Sequence, residues 1–219
     1  MTAQEMLDLL ALRLEDPESK AFSDSSKFKA LNVAQMTVVN LCDNTLLTEL
    51  ETIESKTTGA DGDFALSGLT GTPIRNGLYA VYNTTASVLK FLNLIDFKDV
   101  KRLENSYLTA SNENPIGWVF QNTLYIQPES ADLCDIYFLA KPSDIGSGAD
   151  CILDESLHET VVDLAESQLW KMDGQYERAT VAQTNGMTIL NALNSRVLAE
   201  KPQGVGTYGR VASANSKGV

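Results

Sequence analysis

Apolar side chains recur at helical spacing through the first part of the chain. Thr2 and Glu5 have the spacing of a capping box, and the run after them stops at Asp16, which predicts a short amphipathic helix. Ser23 has the side chain of a helix cap, and one apolar stripe then continues to about Glu54. The pattern therefore predicts two helices in this part of the chain.

The period changes between residues 64 and 145, where Gly, Pro and Asn separate short apolar runs, a pattern typical of strands. Gln121 and Asn122 lie between two of these runs and predict a tight hairpin. Residues 96–107 instead have apolar positions on one helical face. The middle of the chain is therefore predicted to be mixed and mainly β. The predicted strands are residues 78–82, 87–92, Ile116–Phe120, Thr123–Gln127 and Leu133–Ala140.

Helical spacing returns near residue 154. Asp154 caps the first of two further helices, and Gly174 ends it. The next helix continues to about Leu198. The predicted inward faces of this pair include Met172 and Tyr176.

These patterns predict an α+β subunit. Helix pairs from the two ends of the chain, in segments 1–58 and 150–200, form a helical bundle, and Gly186 permits a close helix crossing. A mixed, mainly β insertion occupies 59–149, and an extended tail follows at 201–219. Helices on both sides of an insertion imply that the two ends of the folded part meet in space.

The tail is rich in Gly and Ser and is expected to become ordered only on a partner. After Pro202 it carries Arg210 and Lys217 but no acidic residue. Residues 204–209 match the letters of a dinucleotide-binding loop, but they follow a helix instead of a strand, so that function is not predicted. The tail residues predicted to dock on a partner are Val205, Tyr208, Arg210 and Val211.

Net charge is −12 and the sequence pI is near 4.5, which argues against nucleic-acid binding, because that needs clustered Lys and Arg. Lys98, Lys101 and Arg102 form the basic cluster of the predicted folded part. On an acidic background these residues are expected to pair with a neighbouring subunit or to face water. No signal peptide or membrane span is predicted.

Candidate catalytic and metal-binding residues are sparse. The single histidine, His158, is predicted on the polar flank of its helix, and no nucleophile motif lies nearby. Cys42, Cys134 and Cys151 lack metal-site spacing and are predicted to be free, buried thiols in a reducing cytoplasm. The aromatic residues of the predicted sheet, such as Trp118, are interpreted as core. We therefore predict no catalytic residue, no cofactor and no metal, and expect that the chain is not an enzyme.

Four segments carry a resemblance to a known family. Residues 9–24, LLALRLEDPESKAFSD, resemble the helix, D-P turn and second helix cap of tailed-phage head-to-tail adaptor proteins, also called connector or head-completion proteins. Residues 116–129, IGWVFQNTLYIQPE, resemble the hairpin of that family. Residues 137–145, YFLAKPSDI, and 153–165, LDESLHETVVDLA, resemble the strand end and helix that follow.

The resemblance implies a ring of about twelve copies that docks beneath the portal of a DNA-filled head and extends the channel towards the tail. It implies the virion neck as the location, with assembly in the host cytoplasm. The tail at 201–219 is expected to reach the portal, and another tail component binds below. Genomic DNA passes through without specific binding, since an acidic surface does not attract phosphates. The alternatives are a tail terminator or completion ring and, from another class, a small-molecule-binding or hydrolytic enzyme.

Overall fold

The computed structural model describes residues 1–83, 90–104, 110–111, 114–129 and 131–200. Within these residues the fold is α+β, with four α-helices and two four-stranded sheets. No described helix is both long and apolar enough to span a membrane. The helices are α1 (Ala3–Arg13), α2 (Asp24–Leu41), α3 (Glu155–Met172) and α4 (Tyr176–Glu200).

Each of the two sheets combines strands that are distant from one another in the sequence. The first sheet has the order β1-β8-β3-β4 and is antiparallel throughout. The second has the order β2-β7-β6-β5, in which only the β5–β6 pair is parallel. The strands are β1 (Glu51–Thr57), β2 (Asp63–Ala65), β3 (Pro73–Asn83), β4 (Lys90–Phe91), β5 (Asn93–Leu94), β6 (Ile116–Phe120), β7 (Thr123–Gln127) and β8 (Leu133–Ala140).

Helices from both ends of the chain contribute to one hydrophobic core. Its fully buried members include Leu10 of α1, Leu31 of α2, Leu157 of α3 and Leu190 of α4. A second core lies between the sheets and contains Phe138 with other buried strand residues. The two ends of the folded part are therefore joined by burial of apolar surface, the main favourable contribution to folding.

Most of the predicted strands are confirmed. Strands β6, β7 and β8 have the predicted bounds, and residues 78–82 fall within β3. Gln121 and Asn122 form the predicted hairpin turn with φ of 47° and 61°, as a two-residue turn between twisted strands requires. The helix predicted at 96–107 is the 3₁₀ helix Phe97–Glu104. Of the predicted strand 87–92, residues 87–89 lie outside the described residues.

The prediction that the second helix continues to about Glu54 is wrong, because α2 ends at Leu41. Asn194 of α4 donates to the Leu41 carbonyl and accepts from the Asp43 amide, which fixes this helix end. Two 3₁₀ turns follow, and Glu51–Thr57 pairs with β8 as strand β1. The end of the predicted helical segment 1–58 therefore belongs to a sheet. Long-range pairing has overridden the local helical period.

For two residues of the last helix pair, the prediction that the side chain faces inward is also wrong. Met172 is 74% exposed and Tyr176 is 69% exposed. They flank the turn at Gly174, whose φ of +79° confirms it as the end of α3. This turn lies beyond the shared core, so the apolar side chains beside it face solvent.

The close crossing at Gly186 is confirmed. A Cβ placed on Gly186 would lie 3.0 Å from the Asp163 Cβ and 3.3 Å from the Leu164 Cγ. The α3–α4 contact therefore depends on the missing side chain.

The loop between α1 and α2, which carries the D-P turn, is fixed by Asp16. Its carboxylate accepts N–H groups of Lys20, Ala21 and Phe22 at 2.7, 3.1 and 3.0 Å. These bonds, with that from Phe22 foremost, lower the pKa of Asp16 to about 2 against the opposing effect of burial, and the Lys27 charge adds to them. The fully buried Lys27 ammonium donates to the Asp16 carbonyl at 3.0 Å. One buried ionic cluster thus fixes where α2 starts relative to α1.

Replacing Gly186 by Val should separate α3 from α4, because the new side chain overlaps Asp163 and Leu164. We expect a loss of about 1–3 kcal/mol in the free energy of unfolding, as for other overpacked sites. The measurement is the urea midpoint. The matched control is Gly146→Ala, where an added Cβ meets nothing within 4 Å; an equal loss in both variants would contradict the close crossing.

Replacing Asp16 by Asn should lower the melting temperature at neutral pH, because an amide cannot accept all three N–H groups as a carboxylate does. Since the pKa of Asp16 is lowered, its stabilisation is present above its ordinary value of 3.8 and is lost as pH falls towards about 2. The melting-temperature gap between wild type and variant should therefore narrow over that range. Asp61→Asn, in an exposed turn, is the control. A gap that does not change with pH would refute the role of Asp16.

Candidate functional site

The predicted basic cluster lies on the 3₁₀ helix Phe97–Glu104. Lys98 and Lys101 are exposed on it, and the Lys98 Nζ lies 2.8 Å from the Asp96 carboxylate, which lowers the pKa of Asp96. Arg102 belongs to the same helix, and its side chain is outside the described residues. Residues 96–104 contain three basic and three acidic side chains, so this segment has no net positive charge.

Aromatic side chains cover the same end of the molecule. The Phe97 ring stacks on Phe120 at the tip of the β6–β7 hairpin, with ring centroids 4.1 Å apart. Both rings are partly exposed, so Phe120 is not the core residue that the sequence predicted. Trp118, which is buried, stacks on Tyr125 further along the hairpin. The tip therefore combines exposed aromatic surface with paired charges.

The four docking residues predicted in the tail, Val205, Tyr208, Arg210 and Val211, lie outside the described residues. The tail follows α4, whose later turns still contact the body, since Leu193 packs against the shared core and Asn194 bonds the end of α2. Leu190 is fully buried, whereas Leu198 is 62% exposed. The tail thus begins just after a solvent-exposed turn of α4.

A groove of about 490 Å³ lies between α3 and α4. Arg13, at the end of α1, faces three acidic side chains of α3 in this groove. Its Nη2 lies 3.0 Å from Glu159, and its Nη1 binds Asp163 and lies 3.8 Å from Glu166. One guanidinium therefore faces three carboxylates, and the lining carries two net negative charges when all are ionised.

Burial opposes ionisation of two of these carboxyls. It raises the pKa of Asp163 and of Glu166, while Arg13 acts in the opposite direction on both. Glu166 also accepts a bond from the Trp170 indole at 3.0 Å. The charge of Arg178 also lowers the pKa of Glu166. Its guanidinium, however, lies 3.6 Å from Glu15 and covers the Trp170 ring. The positive charge around the groove is thus less than its carboxylates require.

Sequence reasoning missed this groove. The signal was present in the spacing of Glu159, Asp163 and Glu166, since residues four and three apart lie on one helix face. The position of Arg13 in the last turn of α1 was also visible. What the sequence did not contain was the packing of α1 against α3.

His158 is 3% exposed, so its predicted place on a polar flank is wrong. Its Nδ1 lies 2.9 Å from the N-terminal ammonium of Met1, and its Nε2 lies 2.7 Å from the Leu153 carbonyl. The ring joins the start of α1 to the start of α3. His158 therefore has a structural role.

The three cysteines are buried and form no disulfide, as predicted. Burial raises the pKa of the Cys134 thiol to about 12 and also raises that of Cys151. Both thiols are therefore protonated at neutral pH and are poor nucleophiles. Within the described part of the chain, no group of three or more His, Cys, Asp or Glu residues is placed to hold a metal ion.

A scan against protein-family models and a search of curated proteins each find no match for this chain.

Replacing Arg13 by Met should cost about 1–3 kcal/mol in the free energy of unfolding, because partly buried carboxylates lose their charged donor. The pKa of Asp163 should rise further, so the loss should be larger at neutral pH than near pH 4, where more of the carboxyls are protonated. Arg178→Met is the matched control, since that side chain is half exposed and its loss should stay below about 1 kcal/mol. Equal urea midpoints for the two variants would contradict the role of Arg13 as the charged donor to these carboxylates.

Proposed function

We propose that this protein is the subunit of a head-to-tail adaptor ring in a tailed-phage virion. The ring docks on the portal, extends the DNA channel and provides the attachment site for the tail. Its role is structural and not enzymatic. In this proposal the four helices form the bundle of each subunit, about twelve subunits close the ring, and the segment 201–219 binds the portal.

The observation that carries the proposal is the way α4 presents the tail. Helices from both chain ends share one core, and α4 leads from that core to an exposed Leu198 near the start of the tail. The tail that follows contains basic residues and no acidic one, so all 29 acidic residues belong to the rest of the chain. This layout supports the role of a ring subunit whose C-terminal segment binds a neighbouring ring.

The segments that carry the family resemblance have defined structural tasks. The D-P turn is the Asp16 cluster, which fixes α2 relative to α1. The predicted hairpin is β6–β7, and the final segment is the start of α3, where His158 joins the N-terminus. These residues set the geometry of the subunit, which favours a shared architecture as the reason for the resemblance.

The charge of the chain suits a conduit for duplex DNA. A basic lining would hold DNA through many phosphate contacts, each of which releases counterions. A net charge of −12 provides no such grip. Weak interaction with DNA is the property that a channel needs, because the genome must move through it.

Attachment to the portal gains strength from repetition. Burial of Val205, Tyr208 and Val211 contributes about 1.5–3 kcal/mol each before ordering costs are subtracted. A single tail therefore binds weakly. Many tails on one ring bind together, since each contact raises the effective concentration of the next.

The test is co-sedimentation with the portal ring of the same virus. The full chain should bind, and truncation after Glu200 should remove binding because all four docking residues are lost. Truncation after Ala212 is the matched control, since it keeps those residues and should bind as the full chain does. Negative-stain images of the complex should show an added ring below the portal.

Three results would overturn the proposal. One is undiminished portal binding after truncation at Glu200. Another is binding to a tail tube with none to the portal, which would identify a tail terminator instead. The third is turnover of a small molecule by the isolated subunit, which would assign the protein to the enzyme class.

A further inference from the structure

The groove between α3 and α4 has an apolar rim as well as acidic walls. Val181 on its rim is 61% exposed, and Ile189 and Ala182 line the same side together with the polar Asn185 and Thr188. The opposite side carries Glu159 and Asp163. Its volume of about 490 Å³ is on the scale of a few side chains. An occupant of matching chemistry has a cationic group flanked by apolar side chains.

The tail of this chain has that chemistry. Arg210 lies between Tyr208 and Val211, and no acidic residue occurs in the segment 201–219. The 3₁₀ segment at 96–104 fits less well, because its three basic residues are matched by three acidic ones. Charge complementarity therefore selects the tail over the other basic cluster of the chain.

The tail is also long enough to reach the groove of its own subunit. From Ile189 to Glu200, α4 rises about 16 Å at 1.5 Å per residue. From Glu200 to Arg210, an extended chain spans up to about 33 Å at 3.3 Å per residue. Arg210 can thus return along α4 to the groove with length to spare. A short tether of this kind gives an effective concentration in the millimolar range, so a weak contact is populated.

We propose that in the free subunit the tail folds back along α4 and occupies this groove, so that it docks on its own subunit and not only on a partner. Arg210 then lies beside Glu159, the exposed carboxylate of the groove, while Tyr208 and Val211 cover Val181 and Ile189. The docking itself does not depend on a portal. Its consequence, that the docking residues are held on the subunit until a larger ring displaces them, rests on the proposed function.

Disulfide trapping in the full chain tests the contact. The variant Val181→Cys/Val211→Cys, exposed to oxidised glutathione, should form an intramolecular disulfide that runs as a compact monomer on a non-reducing gel. The matched control is Thr180→Cys/Val211→Cys, because residue 180 is exposed, is one position away in sequence and does not line the groove. We expect the first pair to form its disulfide about tenfold faster than the second, as a local rise in effective concentration predicts.

Reversal of the Arg210 charge is the second test of the contact. Adding Arg210→Glu to the first pair should reduce trapping to the control rate, and 1 M salt should do the same by screening. Lys217→Glu, which changes the tail charge equally outside the docking residues, should leave the rate nearly unchanged.

Equal trapping rates for the two cysteine pairs, dimers as the main product, or no effect of Arg210→Glu would each overturn the proposal. Portal co-sedimentation is read separately. Trapping without portal binding would leave this contact standing while the adaptor role fails, and portal binding without trapping would show the reverse.

Discussion

Burial of the end of β8 on both faces, at Phe138 and Leu139, is the constraint that joins the two parts of this structure. The strand pairs with β1 on one side and β3 on the other. Its neighbouring residues point to opposite faces, so Phe138 lies in the core of the sheets while Leu139 lies in the core of the helices. The sheets are thus not a separable attachment, because one strand completes both cores.

Directional polar contacts then fix the position of α1 along α3, which the apolar core leaves undetermined. Burial alone does not set the position of α1 along α3, since apolar packing has little directionality. The Met1 ammonium meets His158 at one end of α1, and Arg13 meets Asp163 at the other. With Asp16 fixing the following loop, the first 24 residues are held at three points. This explains why polar residues cluster where two helices from distant parts of the sequence meet.

The sequence was sufficient where structure is decided locally. The capping box at Thr2, the hairpin at Gln121 and the helix stop at Gly174 each depend on residues close in sequence. It was insufficient where distant residues decide. Strand β1 forms because β8 is available to pair with it, and the Arg13 groove exists because α1 packs against α3. His158 looked polar and exposed for the same reason, since its partners are Met1 and a carbonyl outside its helix.

The separation of charge along the chain links the fold to assembly. A body that carries every acidic residue repels copies of itself at long range, and this favours solubility over indiscriminate association. A tail without acidic residues is attracted to any acidic surface, its own groove included. In the proposed adaptor, binding to a partner ring must exceed this internal competition, so a lone contact is insufficient and only a ring that engages many tails at once replaces it. Attachment would therefore be selective for the assembled partner, even though each tail is short and contains few apolar side chains.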